Sequence, residues 1–228
     1  MYKKKEFKKL ESKYSKYQDE GTVGFLMNAC HKNLEYQIKP FKNKNSQILE
    51  IGAGTSPHFE YVDSQFKNYT FLENSNYSIK FLKKKFKGNK KIKYCFYKGK
   101  QIPFSNNSFD RIIISHVLEH IPEPEVFLNE MMSKLKSGGI LSISLPCDPG
   151  ILWRLGRFFL KLFTVKNKLG ISKLEYDYMI ATEHINSIFN LKSIIHYNFK
   201  KKIIKEFFLP MKLKIIDLNL FYNVTLRK

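Results

Sequence analysis

The sequence predicts an α/β fold: a mostly parallel sheet with one antiparallel edge strand, helices on both faces, N-terminal helices over residues 1–44 and a cap inserted around 147–184. Three observations carry this. Short apolar runs alternate with helical patterns through the first 150 residues, as in parallel strands joined by right-handed crossovers. Two β-rich runs joined by Pro210-Met211-Lys212 close the chain, which suggests an antiparallel strand at the sheet edge. Between these parts, an irregular basic stretch breaks the alternation. A length of 228 residues suits one domain, 1–228, with a core of its own.

Residues 5–18 and about 22–38 read as helices; Phe25, Leu26, Leu34 and Ile38 recur at three to four, and Pro40 ends the second. The apolar run 47–51 is a buried strand and "YTFLE", 69–73, a second. Residues 76–86 are helical and "IKYCFY", 92–97, is a third strand. "IPFSNNSFD" is rich in turn formers. "RIIIS", 111–115, is unbroken and apolar, so it is buried on both faces. A helix over 124–136 stops at Gly138-Gly139, and "ILSISLP", 140–146, is a fifth strand. A helix over 187–197 precedes strands at about 202–209 and 216–226.

The 40 Lys and Arg against 20 Asp and Glu give a net charge of +20. Residues 151–228 hold 15 basic and 5 acidic groups, half of that excess. Such a field attracts nucleic acid, anionic lipid or a phosphorylated small molecule; abundant surface lysine is the bland alternative. Cys30, Cys95 and Cys147 are not spaced as a metal or redox pair, so no metal site is expected and a reduced, cytoplasmic setting fits. The N-terminus lacks the apolar core of a signal peptide, and no transmembrane segment is expected. In "GILWRLGRFFLKLF", 150–163, Arg154, Arg157 and Lys161 recur at helical spacing among large apolar residues. That suits an interfacial helix or, the favoured reading, a lid over an active site.

"ILEIGAGTS", 48–56, places two glycines directly after a strand. A P-loop would need a Lys after the glycines, and none is present. A dinucleotide fingerprint would need a third glycine where Pro57 stands. A sulfonium nucleoside has no pyrophosphate but carries cationic groups, which Glu50 suits. Glu73, 21 residues after Gly52 and at the end of the next strand, suits ribose hydroxyls.

"ILEIGAGTS", "FLENS", "IPFSNNSFDRIIISHVLEHIPEP", "LKSGGILSISLP" and "TEHINSIF" follow in the order of the motifs of class I S-adenosylmethionine (AdoMet)-dependent methyltransferases, which the chain resembles from about 47 to 146 and again at 182–189. The resemblance implies a Rossmann-like seven-stranded sheet and AdoMet at the C-terminal strand ends, leaving S-adenosyl-L-homocysteine (AdoHcy) as product. It also implies an acceptor under a variable cap. Gly52, Ala53 and Gly54 would pass under the methionine part, and Glu50 would hold the ammonium. Glu73 would bind the ribose, with Asn74 beside the adenine. Ser115 and His116 would contact the methionine end. Where relatives often place an Asp for the adenine amino group, Lys98 stands, followed by Gly99. Lys cannot accept that hydrogen bond, so the backbone near Gly99 is the expected contact.

An alcohol acceptor needs a base, and His suits neutral pH. His184, at a loop-to-helix junction, is the leading catalytic candidate, with capping of the following helix as the alternative; His116 is second. His120 reads as fixing the turn before Pro122, and Glu119 as an acceptor ligand or base or, more commonly, an exposed helix carboxylate. His31 lies on a helix that could cover the site, and His58 and His196 read as surface residues. Arg154, Arg157 and Tyr178, with Trp153 and Tyr176, are expected to bind the acceptor. That set favours O-methylation of a small anionic molecule, phosphorylated or nucleotide-linked, such as a cell-surface polysaccharide precursor. RNA methylation, a lipid or quinone acceptor, and non-catalytic AdoMet binding remain as alternatives. The chain is expected to be a monomer or homodimer, and nucleic acid is a less favoured partner.

Overall fold

A computed structural model describes residues 21–41, 44–55, 57–62, 65–99, 102–163 and 170–228. The helix expected over 5–18 lies outside the described residues. Seven strands form one sheet: β1 (Ser46–Ile51), β2 (Phe66–Glu73), β3 (Ile92–Phe96), β4 (Phe109–Ser115), β5 (Leu135–Pro146), β6 (Ile203–Pro210) and β7 (Asn219–Arg227). The helices are α1 (Gly21–Ile38), α2 (Asn76–Lys85), α3 (Pro124–Lys134), α4 (Ile151–Phe163), α5 (Lys173–Glu183) and α6 (Ile188–Phe199).

The strand order is β3-β2-β1-β4-β5-β7-β6. Strands β1 to β5 pair in parallel, and β7 runs antiparallel to both β5 and β6. The antiparallel strand therefore sits one place in from the edge, which β6 occupies. Burial explains the order. Phe221, Tyr222, Val224 and Leu226 of β7 are buried, whereas β6 carries Lys205 and Glu206 and stays mostly half-buried, as an edge strand must. In β4, Ile112, Ile113 and Ile114 are fully buried, as the unbroken run requires. The order reverses between β1 and β4, so a crevice opens at their C-terminal ends.

Helix α1 is the unusual element, because polar groups fasten it to the sheet. It packs on β7, β5 and β6. Cys30 Sγ lies 2.9 Å from Ser144 Oγ, Asn223 Nδ2 donates to the Cys30 carbonyl at 3.0 Å, and Thr225 donates to Gln37 at 2.7 Å. Arg111 of β4 donates to Glu35 at 2.6 Å and to Ser142 Oγ at 3.1 Å. His58 adds a 2.9 Å bond to the same Glu35 oxygen. Burial pushes the Glu35 carboxyl up, but Arg111 and His58 outweigh it and hold it at about 2. This network corrects the reading of His58 as a surface residue: it is 1% exposed. His196 is only partly covered, and its Nε2 lies 2.8 Å from Glu206.

In the cap, Arg157 pairs with Asp148 and Lys161 with Asp177, both at 3.0 Å. These pairs hold Arg157 and Lys161 against the protein, while Arg154 is exposed. The apolar stripe of α4 faces outward, with Phe158, Phe159 and Phe163 exposed and no residue of the helix fully buried. The expected lid is thus only a rim: α4 reaches the crevice through Trp153. Among the described residues no helix is long and apolar enough to cross a membrane.

Candidate active site

The crevice deepens into a cavity of about 490 Å³, a size suited to a cofactor and small acceptor. Its first half is built by the turn after β1. Gly52 and Gly54 adopt φ of +65° and +56°, the left-handed region that glycine tolerates best. A Cβ on Gly52 would stand 2.5 Å from Val117 Cγ2, so the turn also needs a bare backbone for space. Glu73, at the end of β2, accepts a short hydrogen bond from the Gly54 N–H and ties the turn to the next strand.

Glu50, Gly52, Ala53, Gly54, Glu73, Asn74, Ser115 and His116 all line this cavity. Gly99 does not, and lies with Lys98 beyond the end of β3. Glu50 is 2% exposed and accepts from Tyr69 Oη at 2.7 Å. Burial raises its carboxyl, and a cation beside it would offset that by favouring the charged form. Ser115 Oγ is buried without a partner among the described residues. A glycine cradle, two buried carboxylates and a spare hydroxyl fit the aminoacyl and ribose ends of AdoMet.

The second half holds a ring of histidines: His31, His58, His116, His120 and His184 all line it, with Glu119, Met179, Ile180 and Trp153. His184 ends α5, and Ser187, not His184, caps the helix that follows. His184 Nδ1 lies 2.8 Å from Asp148 Oδ2. Burial acts to raise the Asp148 carboxyl, but the bonds from His184 and Arg157 leave it below the usual range. An ionised carboxylate only accepts, so Nδ1 is the donor in this contact and Nε2 is the nitrogen not used by it. His120 is fixed in the same way, since its Nδ1 donates to the Glu183 carbonyl at 2.7 Å. Asp148 was missed in the sequence; its one signal was a carboxylate just past a strand's C-terminal end.

Glu119 departs from the expected exposed helix carboxylate. It sits on a single 3₁₀ turn, Leu118–His120, and is 2% exposed. Burial pushes its carboxyl up to about 7, and its Oε2 has no partner among the described residues. His116 is held down at about 3, first by burial and then by the neighbouring His184, His120 and His58. A neutral ring there avoids repulsion with a sulfonium. His31 of α1 stacks on Tyr61 and meets His58 and His116 edge-on, and burial likewise keeps it neutral.

The expected acceptor contacts Arg154, Arg157 and Tyr178 do not line the cavity. Arg154 and Tyr178 are exposed, and Arg157 is spent on Asp148. No Lys or Arg is among the described residues that line it. For Arg154 and Arg157 the reason is the orientation of α4, fixed by its two ion pairs; Tyr178 lies on α5 and is exposed.

A family model for a methyltransferase domain matches residues 49–143. These residues resemble a methyltransferase domain. The glycine turn and Glu73 fit AdoMet as the cofactor of such a domain. The chain is 28% identical over 121 residues to the thiol S-methyltransferase TMT1B of Rattus norvegicus, covering 50% of this chain and 49% of that one. It is 31% identical over 110 residues to a demethylmenaquinone methyltransferase of Paenarthrobacter aurescens (strain TC1), covering 47% and 42%. The chain thus spans about half the length or less of the curated relatives it matches. Among solved structures, the plantazolicin methyltransferase BpumL, in complex with a monoazolic desmethylPZN analog and SAH, superposes with a TM-score of 0.66. The two are 16% identical, over 98% of each chain. A SAM-dependent methyltransferase from Aquifex aeolicus gives 0.57 at 15% identity, over 86% of this chain and 89% of that one. These structural likenesses show the fold.

Proposed function

We propose that the protein methylates a small, largely apolar acceptor that carries a thiol or hydroxyl group. AdoMet supplies the methyl group on a sulfonium that is a good leaving group. The protein contributes alignment and removal of the acceptor's proton. Glu50 and the 52–54 turn would hold the aminoacyl end, and Glu73 the ribose. Met179, Ile180 and Trp153 offer the acceptor apolar walls, and His184 and Glu119 face its nucleophilic atom. The observation that carries this reading is the Asp148–His184 pair beside Glu119, in a cavity whose described lining holds no cation. A phosphorylated or nucleotide-linked acceptor, such as a polysaccharide precursor, finds no counter-charge there. The names of the curated relatives, a thiol and a quinone methyltransferase, support the same acceptor class. AdoHcy release should be measured against thiols, phenols and quinols in parallel with phosphorylated sugars. Turnover confined to the phosphorylated set would refute the reading.

A second reading concerns delivery. Beside the outward apolar stripe of α4 lie exposed Met211, Leu213 and Ile215, and Ile151 N donates to Asp217 of the adjoining turn at 3.1 Å. Exposed Arg154, Lys212 and Lys214 flank this surface. An apolar face edged with cations suits an anionic bilayer, from which an apolar acceptor would enter. Co-flotation with phosphatidylserine vesicles, lost when Phe158 and Phe159 become Asp, tests it; equal flotation of both proteins overturns it.

A further inference from the structure

We infer that Glu119, His120 and His184 form a binding site for one divalent transition-metal ion, Zn²⁺ by preference, at the acceptor end of the cavity. This deepens the acceptor assignment above and rests on that reading of the site. One donor atom from each of the three residues lies within 4.8 Å of the others. The residues come from two distant segments, the turn after β4 and the end of α5, so the fold and not local sequence brings them together.

Three further features mark a built site. His120 and His184 each use Nδ1 on a partner outside the cluster, the Glu183 carbonyl and the Asp148 carboxylate. Their Nε2 lone pairs are left for a ligand. A second-layer acceptor on the far ring nitrogen is the usual device for orienting a metal-binding His and raising its basicity. Arg157 in turn holds Asp148 with both carboxylate oxygens 3.0 Å from its Nη1. Finally, Glu119 is 2% exposed and its Oε2 has no partner among the described residues. A buried carboxylate oxygen without a partner is costly, and an ion removes that cost.

The donor set selects the ion. Two imidazoles and one carboxylate, with a position open to a cavity, suit Zn²⁺ in the three-ligand arrangement of catalytic sites. A tetrahedral shell with bonds of about 2.1 Å puts its donors about 3.4 Å apart. Closing the present cluster therefore needs movements of about 1 Å, within reach of side-chain rotation. The open position faces the acceptor. A thiol or hydroxyl that ligates the ion releases its proton to solvent, one proton per acceptor bound, with no electron transfer. The ion then assists deprotonation directly, and His184 acts as its ligand.

The test uses the full chain without an affinity tag. Zn²⁺ titration calorimetry and the visible absorption of the Co²⁺ form should report one ion per chain. Glu119→Gln, His120→Gln and His184→Asn should each weaken Zn²⁺ binding at least tenfold. Asp148→Asn should weaken it by about 10–100-fold, as loss of a second-layer partner does. His196→Ala, at a histidine outside the cavity, should bind as the parent does. AdoHcy affinity is measured on the same samples. Absence of Zn²⁺ binding with normal AdoHcy binding overturns the metal site and leaves the methyltransferase reading intact. Absence of AdoHcy binding in the folded parent overturns that reading instead. Unchanged Zn²⁺ affinity in Glu119→Gln and His120→Gln, both of which keep side-chain volume, also overturns the site.

Discussion

His184 and Asp148 lie 36 residues apart in the sequence, and their Nδ1 and Oδ2 atoms meet at 2.8 Å. Each comes from a different end of the cap, so the contact closes the cap onto the C-terminal end of β5. It fixes the His184 ring with Nε2 toward the cavity. His184→Asn should lower kcat by about 10²–10⁴-fold, whether the ring takes the acceptor's proton or holds an ion that lets that proton leave to solvent. AdoHcy affinity should stay within about twofold, because the cofactor half is built from other residues. Steady-state kinetics with calorimetry checks both. A chelator separates the two roles: it should abolish parent activity only where an ion is involved.

Glu73 should matter to cofactor binding in two ways. Its carboxylate already holds the Gly54 N–H, and its position suits the ribose hydroxyls. Glu73→Ala should weaken AdoHcy by about 1–3 kcal/mol, the range for hydrogen bonds to a charged group. Calorimetry reads the loss directly. Unchanged affinity would remove Glu73 from the cofactor site.

Gly52→Ala tests the turn from the side of space. The substitution meets both a φ of +65° and a Cβ only 2.5 Å from Val117 Cγ2. We expect a stability loss of about 2–4 kcal/mol from strain and overpacking together. Val117→Ala in the same chain should restore about half of it, since it removes the clash and leaves the backbone strain. Thermal melts of the three variants and the parent give the coupling energy.

Strands and glycine turn were legible in the sequence because their signals are local. Ile112–Ile114 announces burial by itself, and Gly52 and Gly54 announce their backbone. The position of β7 was not, because it depends on which of two strands hides more apolar surface. Glu119 and His58 were misread because nothing nearby reveals burial; a turn and a helix from elsewhere cover them. Asp148 was missed for the same reason, as its partner lies in another segment. Arg154 and Arg157 were assigned to the acceptor from residue type, and the rotation of α4 that turns them away depends on Asp148 and Asp177.

The buried Glu35–Arg111 pair should set the acid limb of stability. Glu35 is held at about 2 against an ordinary carboxyl near 4.5. Its folded value is depressed, so its contribution is fully present above about 4.5 and is lost as pH falls toward about 2. The gap corresponds to about 3 kcal/mol. Denaturant unfolding followed from pH 6 to pH 3 should therefore show a steep fall in the parent. Glu35→Gln should flatten that fall. It should also lower stability at pH 7 by about 3–5 kcal/mol, because Arg111 is left charged and buried at the centre of the sheet. Replacing both, as Glu35→Gln with Arg111→Leu, should recover part of the loss, since no unpaired charge remains. A parent whose stability is flat from pH 6 to pH 3 would show that the pair does not govern acid unfolding.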